Sequence, residues 1–392
     1  MKILTFALSL CLAVSTAAMA AAKEPPSLKG KRSPLPEGGD MTQSTPTIIL
    51  EGAQRSSSLV ELHDKFIESI DGDSRRAVLD EIARTHPQTQ RDIKSLFDLF
   101  MRFPQPAVRD TVMGSVRRLD QNDSGLEPAF MEYLKLSESE ARIFGINGAF
   151  RLRSLRALPL IKEIAAQRFS FKSPGETPIL SDKNLWWTQY EALSALAQWQ
   201  GAQALPLLRS QAEKAPAVAR LMSIYLWNES LPDIIKWAGS RGSAESAHEA
   251  LTADVPLTAL RKTRAKMLAV LRNPKSDREL RHQLAIKVGI SSTPEEIDSL
   301  LAEQTAAQDS ESRLTLSAAL FASRSPKTVP WLKKIASEDP DAKIRLGGMM
   351  QLRLLLPPAE TRPFLEAASA NDPDAENRQS ANEMLKTPPP QP

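Results

Sequence analysis

The feature that most constrains this chain is internal. Four segments near the C-terminus read Asp277-Arg278-Glu279-Leu280-Arg281, Asp309-Ser310-Glu311-Ser312-Arg313, Asp341-Ala342-Lys343-Ile344-Arg345 and Asp374-Ala375-Glu376-Asn377-Arg378. Each places an Asp four residues before an Arg, and the arginines follow one another at 32, 32 and 33 residues. A fixed period of this length marks a stack of supersecondary units, because one unit alone cannot bury its apolar face. Asp opens a helix well: its carboxylate accepts otherwise unpaired backbone N–H groups and suits the positive end of the helix dipole. Each Asp is therefore expected at a helix N-cap and each Arg about one turn in.

The spacing extends backwards through Arg76, Arg109 and Arg142, then through Gln189, Arg220 and His248, giving about ten units. A second motif marks the partner helix of each unit. Leu158-Pro159-Leu160-Ile161 and Val329-Pro330-Trp331-Leu332 match position for position, and Leu205-Pro206, Leu231-Pro232 and Arg362-Pro363 start the same way. Proline is tolerated in a first helical turn, where its missing donor costs nothing. Each unit then reads as a Pro-opened helix, a short turn and an Asp-opened helix.

With these motifs the chain resembles the HEAT-repeat family, in the short bacterial form of the phycobilisome-lyase HEAT-like repeats. The resemblance covers about 59–386 and is strongest at Asp341–Gly348 and Asp374–Ala381. It implies an all-α fold, a superhelical α-solenoid of about ten stacked helix pairs. It also implies a structural ladder of Asp and Arg from successive units, here Asp277, Asp309, Asp341 and Asp374 with Arg281, Arg313, Arg345 and Arg378. Composition agrees, with 42% hydrophobic and 25% charged residues and only 16 glycines, the profile of an ordinary globular chain.

Residues 1–20 read as a secretory signal peptide. Lys2 supplies the basic start, Ile3 to Val14 the apolar run, and Ala18-Met19-Ala20 the small residues a peptidase accepts. Export to the periplasm or outside the cell follows. The single cysteine, Cys11, leaves with that segment, so the processed chain has no disulfide, thiol nucleophile or thiolate metal site. Residues 21–58 hold five prolines and Gly38-Gly39 and read as a disordered linker, and 387–392 as a Pro-rich tail.

The repeat is interrupted once. Pro159 to Gln189 spans 30 residues, about twice the distance in the other units, and the excess falls at 168–184. Insertions in solenoids project from one face and are disproportionately functional. Seven of the nine Trp and Tyr residues fall in the 52 positions from Trp186 to Trp237. Trp237 and Trp331 align with core aliphatics of other units and are expected inside, whereas Trp186 and Trp187 are adjacent on a helix and cannot both point inward. Trp186, Trp187, Tyr190, Lys172 and Lys183 are therefore the candidate partner-binding residues. The basic segments Arg261 to Lys275 and Arg151 to Arg168 are second candidates for an anionic partner.

Chemistry is harder to find. His63, His86, His248 and His282 are dispersed, and His-Glu-Ala-Leu-Thr at His248 fails the zinc-protease pattern at Thr252. There is no serine elbow, phosphate loop or Ser-x-x-Lys pair. Gly348-Met349-Met350-Gln351 resembles a lytic-transglycosylase signature, but the nearest Glu-Ser lies 37 residues upstream instead of 15 to 20. The sequence thus points to an exported, non-catalytic scaffold for an envelope protein, with no metal or cofactor. A net charge of +3 gives no reason to expect nucleic acid or a membrane surface as a partner of the whole chain, and no later stretch would insert stably in a membrane. A degenerate glycan-cleaving enzyme and a carrier for a small apolar ligand are the alternatives.

Overall fold

Good caps and proline positions give every described element of this chain the same form, the helix. The computed structural model describes residues 58–167, 180–240 and 242–387, and for 180–185 the backbone only. The expected signal peptide, nearly all of the expected linker, Lys172 and all but the first residue of the expected tail lie outside the described residues. The chain forms two compact units that divide in sequence between Trp199 and Gln200.

The first unit holds α1 (Leu59–Glu68), α2 (Gly72–Arg84), α3 (Gln90–Arg102), α4 (Pro106–Arg117), a 3-10 turn at Gln121–Leu126, α5 (Glu127–Leu134), α6 (Ser139–Arg151), α7 (Leu158–Ala166) and α8 (Leu180–Gln200). The second opens with a 3-10 turn at Gly201–Ala204. It continues through α9 (Leu205–Ala212), α10 (Val218–Ala238), α11 (Ala244–Thr252), α12 (Leu257–Leu271), α13 (Arg278–Ser291), α14 (Pro294–Ala306), α15 (Ser310–Ser323), a 3-10 turn at Pro326–Thr328, α16 (Val329–Glu338), α17 (Ala342–Leu355), α18 (Pro358–Asn371) and α19 (Ala375–Lys386). The described residues are all-α, and none of their helices is long and apolar enough to cross a membrane.

Local sequence explains the helix starts. Ser58 with Glu61, Thr89 with Asp92, and Thr293 with Glu296 form reciprocal capping boxes, each pairing two N–H groups that a helix start leaves open. Pro159, Pro206 and Pro330 sit in the first turns of α7, α9 and α16. Two proline expectations are corrected. Pro232 lies inside α10 and Pro363 inside α18. In α10 the helix breaks earlier, at Leu226 (φ −134°, ψ 30°), upstream of the donor that Pro232 lacks. The Ser230 hydroxyl donates to the Met222 carbonyl across the break at 3.2 Å.

Packing within each unit runs mainly between helices one or two apart along the chain. In the second unit α13 packs on α12 and α15, α15 on α17, and α17 on α16, α18 and α19. In the first, α1 packs on α2 and α3, α4 on α2 and α6, and α5 on α6. The first core centres on Phe66, Phe100, Phe130 and Phe144. One core of the second is built by Phe321, Leu332, Ile335, Ile344, Leu352 and Leu365. Gly289 permits the closest approach: a Cβ there would run into the Ala319 carbonyl of α15. Trp227 and Trp237 are buried. Trp331 is half-buried against the C-terminal core, its indole N–H donating to Gln304 Oε1 at 2.9 Å.

The expected loop at 168–184 is shorter than read. Leu180 to Asn184 already belong to α8, and Lys183 therefore lies on a helix.

Candidate functional site

Two constellations emerge, one that ties turns to helices and one that faces outward. The first is built on the capping aspartates. Asp277, Asp309, Asp341 and Asp374 are N-caps of α13, α15, α17 and α19. They accept from the N–H groups of Leu280 at 2.9 Å, Ser312 at 2.7 Å, Lys343 at 2.9 Å and Asn377 at 3.0 Å. The Ser312 N–H is the main reason the Asp309 carboxyl titrates below the usual carboxylate range.

The arginine four residues later ties the helix to the turn before it. Arg345 Nη1 donates to the Asp339 and Pro340 carbonyls at 2.8 and 3.3 Å. Arg378 Nη1 repeats this with Asp372 and Pro373 at 2.6 and 3.2 Å. The acid that joins one unit to the next is not the capping Asp, however. Arg345 holds Asp372, Arg313 lies 3.5 Å from Asp339, and Arg281 meets Glu311. Asp339 and Asp372 each stand two residues ahead of a capping Asp. Of the capping set, Asp341 also reaches across, accepting from the Ser310 hydroxyl at 2.7 Å.

Further back the sequence register slips by one at two places. Asp71 caps α2, and Arg75, not Arg76, donates to the Ser69 carbonyl six residues back at 2.9 Å. Arg142 makes the same bond to Leu136 at 2.6 Å. In α11 the equivalent position is Ala247, buried, while His248 is exposed. The Asp71–Arg75 spacing of four was the available signal.

The outward constellation is on α8. Thr188 and Gln189 are buried. The Thr188 hydroxyl donates to the Ser139 carbonyl of α6 at 3.3 Å, and the Gln189 amide donates to the Ala165 and Gln167 carbonyls. These bonds fix which face of α8 looks out. Trp186 and Tyr190 stack at 5.1 Å, and Trp187 meets Trp186 edge-on at 4.6 Å and Tyr190 at 5.9 Å. Edge and offset arrangements are those the ring quadrupoles favour. Trp187 is 47% exposed, whereas Trp186 and Tyr190 are half-buried. One helical turn on, burial raises the Glu191 carboxyl above its ordinary value, against a hydrogen bond with Asn147 and the charge of Arg117. The result is an aromatic platform flanked by polar groups. The side chain of Lys183, like all of Lys172, is outside the described residues.

The remaining motifs fall into packed or paired places. In Arg261 to Lys275, Arg264 reaches Glu296 at 3.2 Å and Arg272 reaches Glu303 at 3.0 Å, while Arg261, Lys262 and Lys266 are exposed. His63 lies between Asp64 and Asp98 at 2.9 and 2.8 Å. In the Gly348 fragment, Met349 and Gln351 are buried, and a Cβ at Gly348 would press on Ile335 and Ala336 of α16. Glu311, the nearest Glu-Ser, is held by Arg281.

No family model matches the chain, and no curated protein matches it.

Proposed function

We propose that this chain is an exported, non-catalytic HEAT-like α-solenoid that binds a protein of the cell envelope. The solenoid reading is supported by the recurring helix pairs, the packing between helices one and two apart, and the Arg-to-acid pairs that join successive units. Stacked pairs of this kind carry an extended surface on which recognition residues are displayed. Export is supported by residues 1–20 of the sequence.

The observation that carries the binding reading is the α8 platform. Trp187 stands 47% exposed on a helix whose opposite face is locked by Thr188 and Gln189. Large aromatics held rigidly at a surface are the residues that dominate protein interfaces. Fold alone does not assign a function, so the platform bears the argument.

The test is an affinity pull-down from an envelope extract with residues 21–392, beside a Trp186→Ala/Trp187→Ala variant. A partner enriched by the parent chain and lost from the folded variant supports the reading. Release of glycan fragments from cell-wall material by the purified chain would overturn it in favour of the enzyme alternative.

A further inference from the structure

The turn between α6 and α7 carries backbone strain that its own sequence does not relieve. Leu152 ends α6, and Arg153 follows with φ +53°. The Arg153 N–H donates to the Phe150 carbonyl at 3.2 Å and the Ser154 N–H to the Ala149 carbonyl at 3.0 Å. This double closure is the Schellman ending, whose left-handed residue is usually glycine because a Cβ is strained there. Here that residue is an arginine. Arg324, flanked by Ser323 and Ser325, is the other described non-glycine residue with a positive φ.

The surroundings give the strain a purpose. The Arg153 guanidinium lies 5.1 Å from the Phe150 ring and that of Arg151 lies 5.3 Å from the same ring. One aromatic thus holds two like charges side by side. Arg151 Nε is buried with no hydrogen-bond partner. Leu155, which lies between Arg153 and Arg156 in the sequence, is 75% exposed. Glu127, at the start of α5, reaches this turn: it accepts from Ser154 and stands 3.6 Å from Arg156. Among the described residues, the recorded ion pairs include neither Arg151 nor Arg153.

An exposed guanidinium at a strained position, a second guanidinium in none of the recorded ion pairs and a protruding leucine have one counterpart in common. It is anionic and apolar at once. We propose that the α6–α7 turn docks on an anionic lipid surface, Arg151 and Arg153 meeting phosphate groups while Leu155 enters the acyl boundary. Arg presents a planar fork suited to phosphate. Basic residues beside an inserted apolar side chain give reversible, salt-sensitive attachment. This inference is independent of the α8 platform and of any protein partner.

The test is co-sedimentation of residues 21–392 with vesicles of phosphatidylglycerol and phosphatidylcholine, against vesicles of phosphatidylcholine alone. Two variants run in parallel, Arg153→Gly and Leu155→Ser. Arg153→Gly is expected to melt a few degrees higher, since glycine relieves the strain, yet to bind anionic vesicles about fivefold more weakly, the worth of one basic residue at such a surface. Leu155→Ser is expected to keep the melting temperature and lose binding. Equal binding to both vesicle types would overturn the proposal, as would unchanged binding by both variants. Saturable uptake of inorganic phosphate without vesicle binding would overturn it too, leaving a soluble anion site.

Discussion

Arg345 grips Asp372 with two prongs, Nε to Oδ2 at 2.9 Å and Nη2 to Oδ1 at 2.7 Å, and both residues are buried. Burial works to raise the Asp372 carboxyl. The hydrogen bonds from Arg345, the Asp374 N–H and Asn377 outweigh it and hold the group below the usual carboxylate range. Replacing Arg345 by Met leaves that buried carboxylate without its ion-pair partner, which costs about 3–5 kcal/mol. A carboxyl depressed on folding contributes stability above its unfolded pKa of about 4 and loses it as pH falls through the folded value. Resistance of the parent chain to urea should therefore fall below about pH 4, and Arg345→Met should flatten that limb.

Ala307 stands where the ladder lacks its acid. It is the C-cap of α14 at φ −68°, ψ 122°, and Asp339 and Asp372 are the C-caps of α16 and α18 at −66°, 133° and −59°, 132°. All three precede a capping Asp by two residues. Arg281, which would meet an acid at 307, has a buried Nε with no partner. Ala307→Asp is expected to stabilise the chain by about 1 kcal/mol, read as a higher denaturant midpoint. A lower midpoint would show that Glu311 already satisfies Arg281.

Lys287 is a buried cation whose ammonium donates to the Ala253 carbonyl at 3.0 Å and lies 5.4 Å from the Trp227 ring. Burial pushes its pKa down to about 8. The folded state then binds fewer protons than the unfolded state above that value, so stability should rise as pH climbs from about 8 toward 10. Lys287→Met removes the charge penalty and the bond to Ala253 together, for a net gain of about 1–2 kcal/mol at pH 7. A variant that melts lower at pH 7 would contradict this.

Gly289 sits where α13 and α15 come closest, and the obstacle a Cβ would meet is the Ala319 main chain rather than a movable side chain. Gly289→Ala should cost about 2–4 kcal/mol despite its better helix propensity. A Gly72→Ala control, with nothing within 4 Å of the added Cβ, should be near neutral.

The capping aspartates were legible in the sequence because cap chemistry is local: Asp, four residues, Arg. The acids that join units were not, because Asp339 and Asp372 sit in turns whose partners lie 26 and 27 residues away. Counting back by fixed period led to Arg76 and His248, whereas the structural rule is distance from the cap, which selects Arg75 and Ala247. At Trp186 and Trp187, helical geometry correctly required one exposed ring. The orientation of α8 was set by Thr188 reaching Ser139, a contact across 49 residues with no pattern of its own. The division near Gln200 carries no proline-rich stretch. Its local trace is Gly201 at φ +56°, a residue type that closes a helix without strain.

The most direct test of the account places a photo-crosslinking amino acid at position 187 of the chain, expressed with residues 1–20, and irradiates intact cells. The account predicts one discrete crosslinked envelope protein, absent when the probe is moved to the buried position Leu193. A probe at 187 that captures nothing, while one at exposed Lys262 or Lys266 on α12 does, would contradict the α8 platform as the binding face.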